Sequence, residues 1–217
     1  MSELFDEVDE EVRREQLKKL WDKYSVFIVA LAILIVAAVG GWRGYQYLEA
    51  KKAAEAGDAF DKAVELADQG KHDDAETAFA ALAAKAPSGY RTLARFRAAG
   101  EAAPRDPQAA AKMFDDIAAD RSVGADFRDL ARIRAAGLLV DSASYQDMVQ
   151  HLEAMTTAGS TYRHAARELL ALSAWRANDA AATRQWLDQI ALDGETPPSV
   201  RARAEALQAL LPPVAKS

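Results

Sequence analysis

Two kinds of hydrophobic pattern divide the chain. Residues 24–42, YSVFIVALAILIVAAVGGW, form an apolar run of 19 residues without a charge, closed by Lys23 and Arg43. After Ala50 the apolar positions follow the 3.6-residue rhythm of amphipathic helices, and no stretch alternates as a strand would. Turn signals interrupt that region at DQGKHDD near Gly70, AKAPSG near Pro87, PRDP at 104–107, DRSVGAD near Gly124, TTAGST near Gly159, RANDA near Asn178 and DGETPP near Pro197. The segments between them predict helices of about 12–15 residues, the usual globular length.

These helices repeat. Tyr90-Arg91-x-x-Ala94-Arg95 recurs as Phe127-Arg128-x-x-Ala131-Arg132 and as Tyr162-Arg163-x-x-Ala166-Arg167, at offsets of 37 and 35. A second signature falls between them: Ala75-x-x-x-Phe79, Ala110-x-x-x-Phe114, a degenerate Met148-x-x-x-Leu152, and Ala182-x-x-x-Trp186. A small residue one turn before a large one lets a neighbouring helix cross closely and then fills the gap. Two alternating helix types with a period near 35 predict a stacked array of helix pairs, an α-solenoid. In the first helix of each pair, Leu93, Phe96 and Gly100, and then Leu130, Ile133 and Gly137, are expected to pack the solenoid.

The apolar run reads as a transmembrane helix. At 1.5 Å per residue it reaches about 28 Å, close to the hydrocarbon thickness of a bilayer. Tyr24 and Trp42 fall at the two interfaces, where Lys23 and Arg43 can snorkel outward. A cleaved signal peptide fits less well, because 23 residues with 5 bases and 8 acids precede the run, instead of a short basic leader. A buried core helix would show a polar stripe, and none is present. The flanking bases are Arg13, Arg14, Lys18, Lys19 and Lys23 before the run, against Arg43, Lys51 and Lys52 after it. That excess places the amino terminus in the cytoplasm and the array across the membrane. Gly40 and Gly44, with Gly41 beside them, make a small-residue spacing that allows a second membrane helix to approach. The leader carries Leu4, Val8 and Val12, then Leu17, Leu20, Trp21 and Tyr24, an interrupted apolar stripe that can lie on a leaflet, dock a cytosolic partner, or extend the span in solvent. The expected division is a leader helix at 1–23, the span at 24–42, a linker or helix extension at 43–57 and the repeat domain at 58–217.

Charge and composition exclude several functions. With 27 bases against 33 acids, the chain lacks the basic surplus that phosphate neutralisation requires, so no nucleic-acid partner is expected. There is no cysteine for a disulfide, a zinc ribbon or thiol chemistry. His72, His151 and His164 lack metal-ligand spacing, and His72 with Asp73 and Asp74 reads as a helix amino terminus. Asp115 and Asp116, adjacent on a helix, point about 100° apart and make no acid–base pair. No catalytic residue, metal or cofactor is expected, and the chain is not read as an enzyme.

LADQGKHDDAETAFAALAAKAP, residues 66–87, resembles the second half of a tetratricopeptide repeat, with Gly70 in the turn and Ala75, Phe79 and Pro87 at that family's spacing. Later units lack the terminal proline and vary from 34 to 38 residues. The whole arrangement is more specific: an acidic-then-basic leader, one span ending Gly41-Trp42-Arg43-x-Tyr45, and an alanine-rich array bearing the tyrosine–arginine phrase. It resembles the YfgM-like family of bacterial inner-membrane proteins, ancillary subunits of the Sec translocon. That resemblance implies a single-span anchor, a periplasmic repeat domain, and association with SecYEG and with periplasmic chaperones.

Arg91 and Arg95, Arg128 and Arg132, and Arg163 and Arg167 are i,i+4 pairs at equivalent places, so stacking aligns them as a ladder. Like charges about 10 Å apart repel by only about 0.4 kcal/mol in water, so a wet surface tolerates such a ladder. Two roles follow: the arginines hold carboxylate-bearing partner segments, or they meet acids of adjacent helices such as Asp129, Glu101, Asp115 or Glu168. The functional expectation is a membrane-tethered scaffold for protein export. The alternatives are an envelope-assembly or cell-division coordinator and a regulator that acts through the cytosolic leader.

Overall fold

The computed structural model describes residues 3–212, with side chains described for residues 14, 15 and 17–212. Residues 1–2 and 213–217, and the leader side chains of Leu4, Val8 and Val12, lie outside the described residues. Among the described residues there are nine α-helices and no strand: α1 Glu3–Asp68, α2 His72–Lys85, α3 Ser88–Ala102, α4 Pro107–Ala119, α5 Ala125–Leu139, α6 Tyr145–Leu152, α7 Arg163–Arg176, α8 Ala180–Leu192 and α9 Pro198–Ala209. A single 3₁₀ turn, Glu153–Thr156, follows α6. The chain divides into two units, Met1–Ala54 and Glu55–Ser217.

The first unit is helical through the apolar run, and α1 is long and apolar enough to cross a membrane. Its large apolar side chains, from Val26 to Val39, are exposed; Trp42, which closes the run, lies 6.5 Å from Tyr45 just beyond it, and Tyr47 is exposed as well. Residues 43–57, read from sequence as a linker or a helix extension, are helical without a break.

The second unit is an α-solenoid. From α2 onward each helix packs on the next in the chain, and α7 also touches α5 and α9, so the odd-numbered helices from α3 form one layer and the even-numbered ones the other; the end of α1 meets α2 and α3 through Phe60, which packs on Phe79 and Tyr90. Two of the turns use the same device. Gly70 ends α1 at φ +74°, with Lys71 N–H donating to Leu66 O and Gly70 N–H to Ala67 O, both at 2.9 Å. Asn178 ends α7 at φ +59°, with Asp179 N–H donating to Ala174 O at 3.0 Å and Asn178 N–H to Trp175 O at 2.9 Å. Both are left-handed helix stops that satisfy the last carbonyls, and glycine or asparagine adopts that conformation most readily. The next helices start on side-chain caps at several places. Asp106 accepts from Gln108 and Ala109 N–H ahead of Pro107 at N1, and Asp179 accepts from Ala182 N–H. Ser144 accepts from Asp147 N–H and donates to its carboxylate at 2.6 Å.

Seven of the eight breaks between the described helices fall at the turn signals; the eighth, at 140–144, has neither glycine nor proline to mark it. Helix α6 is only 8 residues long, shorter than the spacing predicted.

Alanine sets how closely the layers approach. Ala75, Ala94, Ala98, Ala110, Ala131, Ala135 and Ala166 are buried at the crossings, and the large residue one turn on fills the space between. Phe79 lies edge-on to Phe60 at 5.2 Å, and Tyr90 packs 6.0 Å from Phe60. A Cβ on Gly57 would come within 3.0 Å of the Tyr90 hydroxyl, so this glycine gives Tyr90 its place. Phe114 packs on Phe96 at 5.6 Å, Leu152 is fully buried, and Trp186 is buried with its Nε1–H donating to Tyr145 Oη at 2.8 Å. The four large residues of the second signature thus all enter the core. In α8 the small position differs: Ala182 is partly exposed and Thr183 is the fully buried residue.

The first-helix packing differs from expectation. Leu93 is 44% exposed, Gly100 and Gly137 are exposed, and Phe96, Leu130 and Ile133 are only half-buried. The buried stripe of α3 is Ala94, Ala98, Ala99 and Ala102, and that of α5 is Ala131, Ala135 and Ala136. Close helix crossing selects the small side chains for the interface and turns the larger ones to the edge.

Candidate interaction surface

The six arginines of the repeated phrase occupy different environments. Arg91 is exposed and donates from Nη2 to Ala86 O at 3.2 Å, at the end of α2. Arg95 donates from Nη1 to Asp120 Oδ2 at 2.6 Å and from Nη2 to Asp116 O at 3.1 Å, which ties α3 to the end of α4. Hydrogen bonds from the Ser122 hydroxyl and amide, with Arg95 behind them, hold the Asp120 pKa down at about 2. Arg128 buries its Nε without a hydrogen-bond partner, and Arg132 pairs with Asp129 on its own helix at 2.7 Å.

Arg163 and Arg167 converge on one acid. Arg163 Nε and Arg167 Nη1 each donate to Asp193 Oδ2 at 2.8 Å, and Arg163 Nη2 also reaches Glu195. Arg167, only 8% exposed, donates further to Thr156 O and Gln189 O, so it bridges the 3₁₀ turn, α7 and the end of α8. Arg163, the Glu195 amide and Arg167 hold the Asp193 carboxyl well below the usual carboxylate range.

The Arg95–Asp120 and Arg167–Asp193 contacts are the same clamp in two units: the second arginine of the phrase reaches the acid that follows the next helix of its layer pair, 25 or 26 residues on. Asp120, Asp193 and Glu195 were not singled out by spacing. Of the acids that were, Asp129 pairs with Arg132, Glu101 with Arg97 and His72, Asp115 faces His151 at 3.9 Å, and Glu168 pairs with Arg203.

The histidines are parts of these local networks. His72 Nδ1 lies 2.8 Å from Glu101 Oε2, and His164 Nδ1 lies 3.2 Å from Thr196 Oγ1. Burial, with Arg163 adjacent, lowers the His164 pKa, and burial raises that of Asp115. Among the described residues no three His, Asp or Glu side chains gather as a metal-holding group.

The odd-numbered layer carries an open groove of about 540 Å³ across α3, α5 and α7, lined by Gly100, Leu130, Ile133, Gly137, Ala165 and Leu169. None of the six ladder arginines lines it. Gly100 and Gly137 hold equivalent positions 37 residues apart in the repeated phrase. Each costs its helix about 1 kcal/mol relative to alanine. Neither has a positive φ, and a Cβ at either would meet nothing within 4 Å, so neither backbone geometry nor packing calls for glycine there.

In α1, Gly40 and Gly44 share a helix face one turn apart, with Gly41 about 100° round from Gly40. A Cβ at any of the three would meet nothing within 4 Å.

A family model described as tetratricopeptide repeat-like domain matches residues 18–169. The match takes in the apolar run together with most of the array. No curated protein and no solved structure matches the chain.

Proposed function

The chain belongs to the tetratricopeptide repeat-like family, and from that premise we propose that it is a single-span, membrane-anchored scaffold that holds protein partners on its repeat array and performs no chemistry of its own. The observation that carries this reading is the combination in one chain, and within one family match, of a helix apolar enough to cross a membrane and an array with an open groove.

On this reading residues 1–23 are a cytoplasmic leader, 24–42 the span in a bacterial inner membrane, 43–57 a helical extension, and 58–217 the periplasmic repeat domain. The flanking bases support that orientation. The finer reading makes the chain an ancillary subunit of the Sec translocon, which brings periplasmic chaperones to segments leaving SecYEG. Gly40, Gly41 and Gly44 then form the face on which a translocon helix packs. Of the arginine ladder, Arg91 is the member placed to meet a partner, and Arg95, Arg163 and Arg167 brace the array.

Affinity purification of the full-length chain from membranes in mild detergent tests this, with mass spectrometry of what comes with it. SecY and at least one periplasmic chaperone are expected, with SecY lost when Gly40 and Gly44 are both changed to leucine. Recovery of a different membrane complex without SecY would remove the translocon assignment and leave the scaffold; recovery of no protein partner would remove both.

A further inference from the structure

We propose that the seam between α8 and α9, at the carboxyl end of the array, takes a short amphipathic helix of a partner protein, seated as the next helix of the array with its apolar stripe inward and lysines or arginines toward Asp188 and Glu205. This rests on the scaffold reading and names the chemistry of one partner. The seam shares no lining residue with the groove across α3, α5 and α7.

The architecture supplies the shape. In earlier units the seam between a second helix and the first helix after it is covered by the next second helix. Helix α4 sets Met113 against the α2–α3 core, and α8 brings Trp186 and Ile190 into one cluster with Leu152 of α6 and Leu170 of α7. The seam between α8 and α9 has no such cover among the described residues and opens as a groove of about 440 Å³. Leu187, Ile190 and Ala204 line it from the core side, and Ala191 and Ala209 line it as exposed residues. Alanine there lets a helix approach closely, as at the crossings inside the array. The two helices run antiparallel, with Arg201 donating to Ala191 O at 3.0 Å at one end and Arg184 reaching Pro212 O at the other. Leu192 and Leu210, which follow the two exposed alanines, are 86% and 66% exposed, so exposed apolar surface continues at both ends. At 1.5 Å per residue the α9 wall from Arg201 to Ala209 is about 12 Å long, roughly two turns of an opposing helix.

Charge selects the occupant. Asp188 on α8 and Glu205 on α9 line the groove, are exposed, and make no ion pair or hydrogen bond through their side chains among the described residues. Arg201, the one base in the lining, is turned to the end of α8, where it donates to the carbonyls of Ala191 and Asp193 at 3.0 and 3.1 Å. The groove therefore presents an apolar floor with an unpaired carboxylate on each wall. A helix flanked by bases complements it, and one flanked by acids is opposed. A second copy seated groove to groove would bring the same acids against each other.

The test uses the full chain in nanodiscs of zwitterionic lipid, with empty discs as the control, and two short helical peptides stapled on their outer faces. Both carry a stripe of alanine and photo-leucine; lysines flank the stripe in one and glutamates in the other. Crosslinks are mapped by mass spectrometry. The lysine peptide is expected to label α8 and α9 about fivefold more than the glutamate peptide, with the order reversed when Asp188→Lys and Glu205→Lys are combined. Ala191→Gln with Ala209→Gln narrows the groove and should cut labelling by about tenfold or more. Glutamine is a good helix former and both sites are exposed, so this variant should melt near the wild-type temperature. Equal labelling by the two peptides, an order that persists in the lysine variant, or labelling unchanged in the glutamine variant overturns the proposal and leaves the scaffold reading, which rests on the purification, untouched. A benzoylphenylalanine at Gln208, on the groove wall, that captures a second copy of the chain or its own residues 213–217 in peptide-free discs also overturns it.

Discussion

Truncating Phe79 to alanine should unfold one end of the array and leave the other standing. The ring is fully buried between α2, α3 and the last turns of α1, edge-on to Phe60 at 5.2 Å and under the Arg97 guanidinium at 5.4 Å. Removing a buried phenylalanine costs about 3–5 kcal/mol, of which the Phe60 edge contact accounts for about 0.5–1.5 kcal/mol. In a single cooperative unit of this size, that loss would lower Tm by roughly 6–20 °C. The array is not built as a single unit, however. Phe79 belongs to a cluster with Ala56, Ala63, Ala75 and Ala94, whereas Leu152, Leu170 and Ile190 belong to a separate one. Each solenoid unit contacts only its neighbours, so the loss should stay local. Hydrogen exchange on the full chain is the assay. Phe79→Ala should strip protection from residues 60–102 by the full amount while α7–α9 keep theirs, and Leu152→Ala, at about 2–5 kcal/mol, should do the reverse. A loss under about 1 kcal/mol, or equal deprotection of α2 and α8, would refute the assignment of separate cores.

One substitution should act with opposite signs at two glycines. Gly70→Ala forces an L-residue to φ +74° and should cost about 1–2 kcal/mol, whereas Gly137→Ala lies in an open helical position and should gain about 0.5–1 kcal/mol, both read by chemical denaturation. The Asp120 clamp predicts a pH effect. Its folded pKa of about 2 lies below the ordinary value of about 3.9, so the stability it contributes is present above about pH 4 and is lost as pH falls through about 2. The Tm of Asp120→Asn should start lower at neutral pH and fall less than wild type between about pH 4 and pH 2; parallel curves would show that the carboxylate contributes nothing.

The array was legible in the sequence because its turns use residues with fixed backbone preferences and its large residues recur at a near-constant period. Gly70, Pro87 and Asn178 each mark a break. The break at 140–144 was missed because Val140-Asp141-Ser142 has no such residue, and its one signal is the Ser144-x-x-Asp147 reciprocal cap. Core and surface were harder to separate on the first helices. Where alanines occupy so many positions the periodic contrast is low, and Leu93 draws the eye although Ala94 is what the crossing buries. The Arg95–Asp120 and Arg167–Asp193 clamps join residues across an intervening helix, and which acid an arginine reaches depends on helix register that no local pattern encodes. The groove was hidden for the same reason: Gly100 and Gly137 read as packing glycines until the open space beside them was seen.

The anchored-scaffold account depends above all on which side of the membrane the array lies. The chain has no cysteine, so single cysteines placed at Lys18 in the leader and at Ser199 at the start of α9 are unique labels at exposed sites. Spheroplasts are treated with a membrane-impermeant maleimide before and after permeabilisation. The account predicts that Ser199→Cys is labelled in intact spheroplasts and that Lys18→Cys is labelled only after permeabilisation, with both found in the full-length membrane-bound chain. Labelling of Lys18→Cys alone in intact spheroplasts, or recovery of Ser199→Cys in a shortened soluble form, would contradict it.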